Sequence, residues 1–112
     1  MNWSKSAKHR SNCFVSNILL ALGLFAMVAG VSAADINSGA RIYQLNCASC
    51  HGPTGISTIP GTPNFARGEG LMKPDVALLA TVRAGQNAMP GYLGILTDRQ
   101  ILDAVAYSRT LR

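Results

Sequence analysis

Five consecutive residues, Cys47-Ala48-Ser49-Cys50-His51, carry the strongest chemistry in the sequence. Two thiols three positions apart fall within one helical turn and on one side of it, and an imidazole follows at once. Thiols so placed suit addition to the two vinyl groups of a porphyrin, with the imidazole coordinating the iron from one face. C-x-x-C-H is the attachment signature of a c-type haem. Three other readings fit less well. A thioredoxin-like thiol pair needs no His51 and belongs in a βαβ context that the sequence lacks. A disulfide across two intervening residues would leave a small apolar domain without a prosthetic group. A tetrahedral zinc site needs four ligands, and beyond residue 33 the chain offers two cysteines and one histidine.

The same short inventory narrows the second axial ligand. His51 is the single histidine after residue 33, so two histidines of one chain cannot share the iron. The cysteines are consumed by attachment. Met89, Met72 and, less readily, Lys73 remain. Met89 lies in a loop beside Pro90, between two expected helices, a suitable place to reach the opposite haem face; it is the favoured distal iron ligand. Met72, close before Pro74, reads as ordinary packing near a helix start. A thioether in the sixth position favours the reduced iron and raises the potential.

A domain must position these groups, and its extent follows from how charge and hydrophobicity are distributed. The 112 residues are 48% hydrophobic and carry a formal net charge of +5, enough chain for one domain and too little for a multidomain enzyme. Lys5, Lys8 and Arg10 precede an apolar run, Phe14 to Val28, that is followed by the small residues Val31-Ser32-Ala33-Ala34. That order is the order of a secretory signal peptide, with cleavage expected after Ala33 and a periplasmic product. Residues 1–33 are therefore read as a cleaved signal and 34–112 as a monohaem domain. Without cleavage the apolar run would act as a membrane anchor, and only then is a membrane partner expected. Residues 34–112 hold seven lysines and arginines against five acids, a net +2. Two haem propionates would offset this, which removes the case for a nucleic-acid partner.

Three helices and no alternating strand are expected in that domain. The first runs from Asn37 or Ser38, either one its N-cap, to Cys50, with Ile42, Tyr43 and Leu45 apolar. Three prolines and five glycines between Gly52 and Gly70 argue for an irregular loop. A second helix starts at Pro74-Asp75 and stops at Gly85. The last starts at Thr97, with Gln100 completing a capping box, and carries the stripe Ile101, Ala104, Val105, Ser108, Leu111. Ile42, Leu45, Phe65, Leu79 and Leu93 are the candidates for an apolar shell that limits water at the haem.

Cys47-Ala48-Ser49-Cys50-His51-Gly52, then Gly85-Gln86-Asn87-Ala88-Met89-Pro90-Gly91-Tyr92, then Leu96-Thr97-Asp98-Arg99-Gln100-Ile101 resemble the small class I bacterial c-type cytochromes. The resemblance implies an all-α cytochrome c fold, three or more short helices wrapped around one covalently bound haem c. It implies a crossing of the first and last helices, for which Tyr43 and Tyr107 are the candidate contacts. It also implies a proline carbonyl accepting the ring N–H of His51. Pro63 is the candidate, with Pro53 and Pro60 as alternatives. The function implied is one-electron transfer between transient, respiratory redox protein partners by a monomer, with no small-molecule substrate. A haem-bearing subunit of a larger oxidoreductase, such as a nitrite reductase system, keeps the same chemistry. A haem enzyme with a labile sixth ligand is less favoured, because no second histidine is present to act beside the iron.

Overall fold

The computed structural model describes residues 32–112; the charged and apolar stretches expected of a signal lie outside the described residues. A compact unit begins at Ala33 and runs to Arg112. Asp35 opens its first helix, α1 (Ile36–Asn46), by accepting the backbone N–H groups of Asn37 and Ser38 at 2.9 and 3.0 Å. The cap is thus two to three residues earlier than Asn37 or Ser38. The reason is tertiary: the Asp35 N–H donates to Asp103 at 2.9 Å, which fixes the chain just ahead of the first turn. The N–H of Ser38 chiefly holds the Asp35 carboxyl below its ordinary range, with smaller help from Asn37, Arg41 and Arg99 against the cost of burial.

After α1 come a one-turn helix, α2 (Ala48–His51), a 3₁₀ turn at Phe65–Arg67, then α3 (Asp75–Ala84), α4 (Asp98–Ser108) and a closing 3₁₀ turn at Arg109–Leu111. Among the described residues there is no strand, only the isolated bridges Gln86–Met89 and Leu93–Leu96. The fold is all-α, as the periodicity of the sequence and the resemblance both imply. Pro74 occupies the N-cap of α3 rather than its first helical position, and Gly85, at φ 78°, ends it. Thr97 caps α4 by accepting from the Gln100 N–H, while the Gln100 side chain accepts from the Thr97 N–H at 2.9 Å, a complete capping box. Replacing Thr97 by alanine removes one of the two bonds and is expected to lower stability by about 1 kcal/mol. The check is the denaturation midpoint; an unchanged midpoint would mean that the cap contributes nothing.

The main packing joins the first helix to the last. Tyr43, fully buried, and Ile42 on α1 meet Ile101, Ala104 and Val105 on α4, with Leu71 from the intervening loop. The Tyr43 and Tyr107 rings lie 5.4 Å apart at 58°, the tilted contact expected of the crossing. Gly39 lets the two helices meet: a Cβ built there would stand 2.0 Å from the Asp103 carbonyl oxygen. The buried Asp103 carboxylate accepts the Asp35 N–H and pairs with Arg99 at 3.0 Å, so its charge is not left alone in the interior. The Arg99 guanidinium also donates to the Ala33 carbonyl. At the other end of α4, Arg109 ties the loop to the helix. Its guanidinium donates to the Leu71 and Lys73 carbonyls and pairs with Asp75 at 2.6 Å.

Of the expected apolar shell, Ile42 is buried and Phe65 and Leu79 are half-buried, while Leu93 is exposed. Leu45 is 84% exposed. Two residues at 100° each set it about 200° around α1 from Tyr43, the residue turned most fully toward α4. Leu45 therefore lies off the α1–α4 contact.

Candidate functional site

The first helix does not continue to Cys50 as the sequence suggests. It stops at Asn46, and Cys47 (φ −118°, ψ −33°) is a hinge between α1 and α2. The Cys47 N–H still reaches back to Tyr43 O at 2.8 Å, but Cys50 and His51 both turn to Cys47 O, at 3.2 and 3.0 Å. The Asn46 amide donates to Ile42 O at 2.9 Å, a side-chain bond of the kind that competes with helix propagation. The result is a single turn carrying both cysteines and the histidine. Both cysteines are half-buried and not joined to each other. As a free thiol before attachment, Cys47 is pushed up to about 11 by burial and then by the nearby Cys50.

Four backbone ties hold the chain leaving this turn. Gly52, at φ 81°, passes so close to Ile56 that a Cβ would lie 1.8 Å from its carbonyl oxygen. Tyr43 donates its hydroxyl to Gly52 O at 2.7 Å, and burial pushes that phenol up to about 12. Gln44 donates to Pro53 O at 3.1 Å. Thr58 donates its hydroxyl to Ser49 O at 2.8 Å and its N–H to Cys50 O at 3.0 Å, satisfying the carbonyls that the short helix leaves open.

His51 is 8% exposed and fixed in two directions. Its Nδ1 lies 3.1 Å from Pro63 O. A carbonyl only accepts, so Nδ1 carries the proton and Nε2 keeps the lone pair. Phe65 stacks on the imidazole, centroids 4.2 Å apart and planes within 9°. The hydrogen bond sets which way the ring points, and the phenyl sets its tilt. Both come from one short stretch, Pro63-Asn64-Phe65, which the Asn64 N–H pins to the Glu69 carboxylate at 2.8 Å. Pro53 and Pro60, the alternatives for the acceptor, make no such contact with His51. The stacking of Phe65 and the clamp of Thr58 were not legible in the sequence. An aromatic two residues after the candidate proline is the one hint available.

Met89 sits half-buried in a tight turn. Gln86 and Met89 exchange both backbone bonds, at 3.1 and 2.9 Å, around Asn87 in the left-handed region at φ 54°. The chain then folds back on α3, where Tyr92 and Leu93 donate to the Val82 and Arg83 carbonyls at 3.0 and 3.1 Å. Gly85 and Gly91 make that approach possible; a Cβ at Gly91 would stand 2.9 Å from Ala84 O. Met72, by contrast, is 81% exposed, its sulfur 3.8 Å from Arg112. It is not packed in a core, and Lys73 is likewise on the surface. The structure thus brings Cys47, Cys50, His51 and Pro63 together directly, and places Met89 on a separate turn held to α3.

The donor set suits a haem. It offers two thiols within one turn and an imidazole whose second nitrogen is free to coordinate. Among the described residues no three His, Cys, Asp or Glu side chains gather into a cage for a bare ion.

Known proteins bear on the same residues. A family described as cytochrome c oxidase, cbb3-type, subunit III matches residues 34–107. The chain is 35% identical over 99 residues to a cytochrome c6 of Thermostichus vulcanus, an alignment covering 84% of this chain and 87% of the relative. A cytochrome c6 of a Nostoc species is 36% identical over 92 residues, 79% of this chain and 81% of the relative. One of Pyropia yezoensis is 33% identical over 93 residues, 74% and 76% of the two chains. With helices, attachment motif and relatives in agreement over nearly all of the described domain, the chain belongs to the small monohaem c-type cytochromes, electron carriers that hold one haem c covalently.

Proposed function

We propose that this cytochrome is a periplasmic one-electron carrier whose haem is bonded through Cys47 and Cys50, with His51 as proximal and Met89 as distal iron ligand. The observation that carries the reading is the Nδ1 contact of His51 with Pro63 O, 3.1 Å. It fixes the tautomer, leaves Nε2 as the donor and raises its basicity, which is what an orienting partner does for a metal-bound imidazole. Met89 supports the second axial role by lying in a half-buried turn closed by two backbone bonds, where Met72 is exposed.

When bound, the haem supplies an iron that accepts and releases one electron. The chain's own part is to hold still. Phe65 and Pro63 keep the imidazole from turning, and the Gln86–Met89 turn keeps the thioether in one place. With His51 and Met89 both held to the iron, no position would be left for a substrate, in keeping with a carrier rather than an enzyme. Its partners are redox proteins of a respiratory chain, met through small and short-lived contacts, by a monomer released from its signal near Ala33.

A haem-bearing subunit of a larger oxidoreductase is the second reading, favoured by the oxidase-subunit family that matches residues 34–107. Against it, this chain covers 87% of the length of its Thermostichus relative, so the similarity is to a small cytochrome rather than to a module of a long chain. Native extract run on gel filtration, with haem absorbance followed, decides between them. Elution as a small monomer with a methionine-ligated, low-spin spectrum in the periplasmic fraction is expected. Elution of all haem with a large complex would overturn the diffusible carrier, and a high-spin spectrum would overturn the filled sixth position.

A further inference from the structure

The hinge at Cys47 has a partner far away in the sequence. Because α1 stops at Asn46, the Asn46 carbonyl has no backbone donor: the N–H four residues on, from Cys50, goes to Cys47 O. The Tyr92 hydroxyl fills the gap, donating to Asn46 O at 2.7 Å across 46 residues of sequence. Burial pushes the Tyr92 phenol above its ordinary value, so the donor stays protonated. Tyr92 stands three residues after Met89, and Asn46 immediately precedes Cys47. Among the described residues this is the hydrogen bond that joins the stretch 75–96 to the stretch 36–58.

The Met89 stretch otherwise depends on α3. Its backbone bonds run to Val82 and Arg83, and α3 itself has no buried residue and packs, among the helices, against α4. The α3–Met89 unit is therefore a weakly buried element, of the kind that opens locally before the rest of a domain does. One strong contact at its free end decides how often it opens. We propose that the Tyr92 hydroxyl is a latch between the Met89 turn and the Cys47–His51 turn, and that its bond to Asn46 O keeps the sixth position of the haem closed to small exogenous ligands. The proposal rests on Met89 being the distal ligand. Tyr92 acts as a positioning residue; it need not touch the iron.

Tyr92→Phe removes the hydroxyl, keeps the ring and leaves the part-buried Asn46 carbonyl unpaired, a loss larger than that of an average exposed hydrogen bond. The test is cyanide uptake by the ferric holoprotein, followed by stopped flow, with the methionine-ligation absorbance band and the denaturation midpoint recorded alongside. The expected result is a rise in the uptake rate on the order of tenfold, equivalent to about 1.4 kcal/mol, with the band still present before cyanide is added. A lower midpoint with an unchanged uptake rate would make the bond merely structural and overturn the latch. Met89→Ala is measured in parallel to separate the two claims. Loss of the band there with no rate change in Tyr92→Phe rejects the latch alone. Survival of the band in Met89→Ala rejects the ligand assignment and the latch with it.

Discussion

Replacing Gly39 by alanine is expected to leave almost no folded, haem-loaded protein. Two effects oppose each other at that position. Alanine is the better helix former by about 1 kcal/mol, so on α1 alone the change would help. Against this, the new methyl would lie 2.0 Å from the carbonyl oxygen and 2.6 Å from the carbonyl carbon of Asp103, and 3.1 Å from the Tyr107 Cβ. The first two are backbone atoms of a packed helix and cannot swing aside as the tip of a long side chain would. α1 and α4 would have to separate by roughly an ångström along the contact that buries Tyr43, Ile101 and Val105. Overpacking a core by a methyl costs about 1–3 kcal/mol where side chains can adjust; with backbone on both sides the cost lies at or beyond the upper end. Separation would also pull Asp103 from the Asp35 N–H and break the tie that starts α1. For a domain this small, with total stability toward the lower part of about 5–15 kcal/mol, the sum is close to the whole margin. Holoprotein yield and the urea midpoint give the measurement. A Gly39→Ala protein as stable as the parent would mean that the helices do not meet there.

The second large effect is expected at Met89. Met89→Ala should fold, because the turn is closed by backbone bonds between Gln86 and Met89 and by the returns to α3, none of which uses the side chain. Its consequence is electronic. Loss of the thioether removes the ligand that favours the reduced iron, so the midpoint potential should fall by on the order of 0.1 V, within the span of about 0.8 V over which axial ligands set haem potentials. The methionine-ligation band should vanish and the ferrous protein should take up carbon monoxide rapidly at neutral pH. Potentiometry and absorbance spectra of the purified variant check both. A band and potential unchanged from the parent would move the role to Met72, although its exposure makes that arrangement hard to build.

Much of the architecture was legible from local signals. The stop at Gly85, the Thr97–Gln100 box and the stripe on α4 all depend on neighbours within a few residues; the structure has the stop, the box and the stripe from Ile101 to Ser108, while Leu111 falls half-buried in the closing 3₁₀ turn. What escaped depends on residues far apart. Asp35 displaces Asn37 and Ser38 as the cap of α1 because Asp103, 68 residues away, holds its N–H. The break at Cys47 is stabilised by a tyrosine 46 residues beyond Asn46. Gly39 reads in the sequence as a weak point in a helix, and its use appears only when α4 is laid across it. The attachment motif was legible because its chemistry is confined to five consecutive positions. The partners of His51 divide along the same line: Pro63 came from the resemblance, while the stacked Phe65 needed the fold.

The crossing of α1 with α4 has a further consequence, for the order of assembly. These are the first and last helices of the described chain, so the core contact joins segments separated by some fifty residues of loop, turn and helix. The entropy of closing that loop must be met before any core contact rewards it, and such non-local pairing slows folding. A nascent chain that ends before Ile101 lacks Ile101, Ala104 and Val105, the α4 side of the core against which Tyr43 and Ile42 pack. An amino-terminal fragment therefore lacks the main helix contact of the fold. Until the final helix docks, the Cys47–His51 turn belongs to a chain whose main helix contact is still unmade.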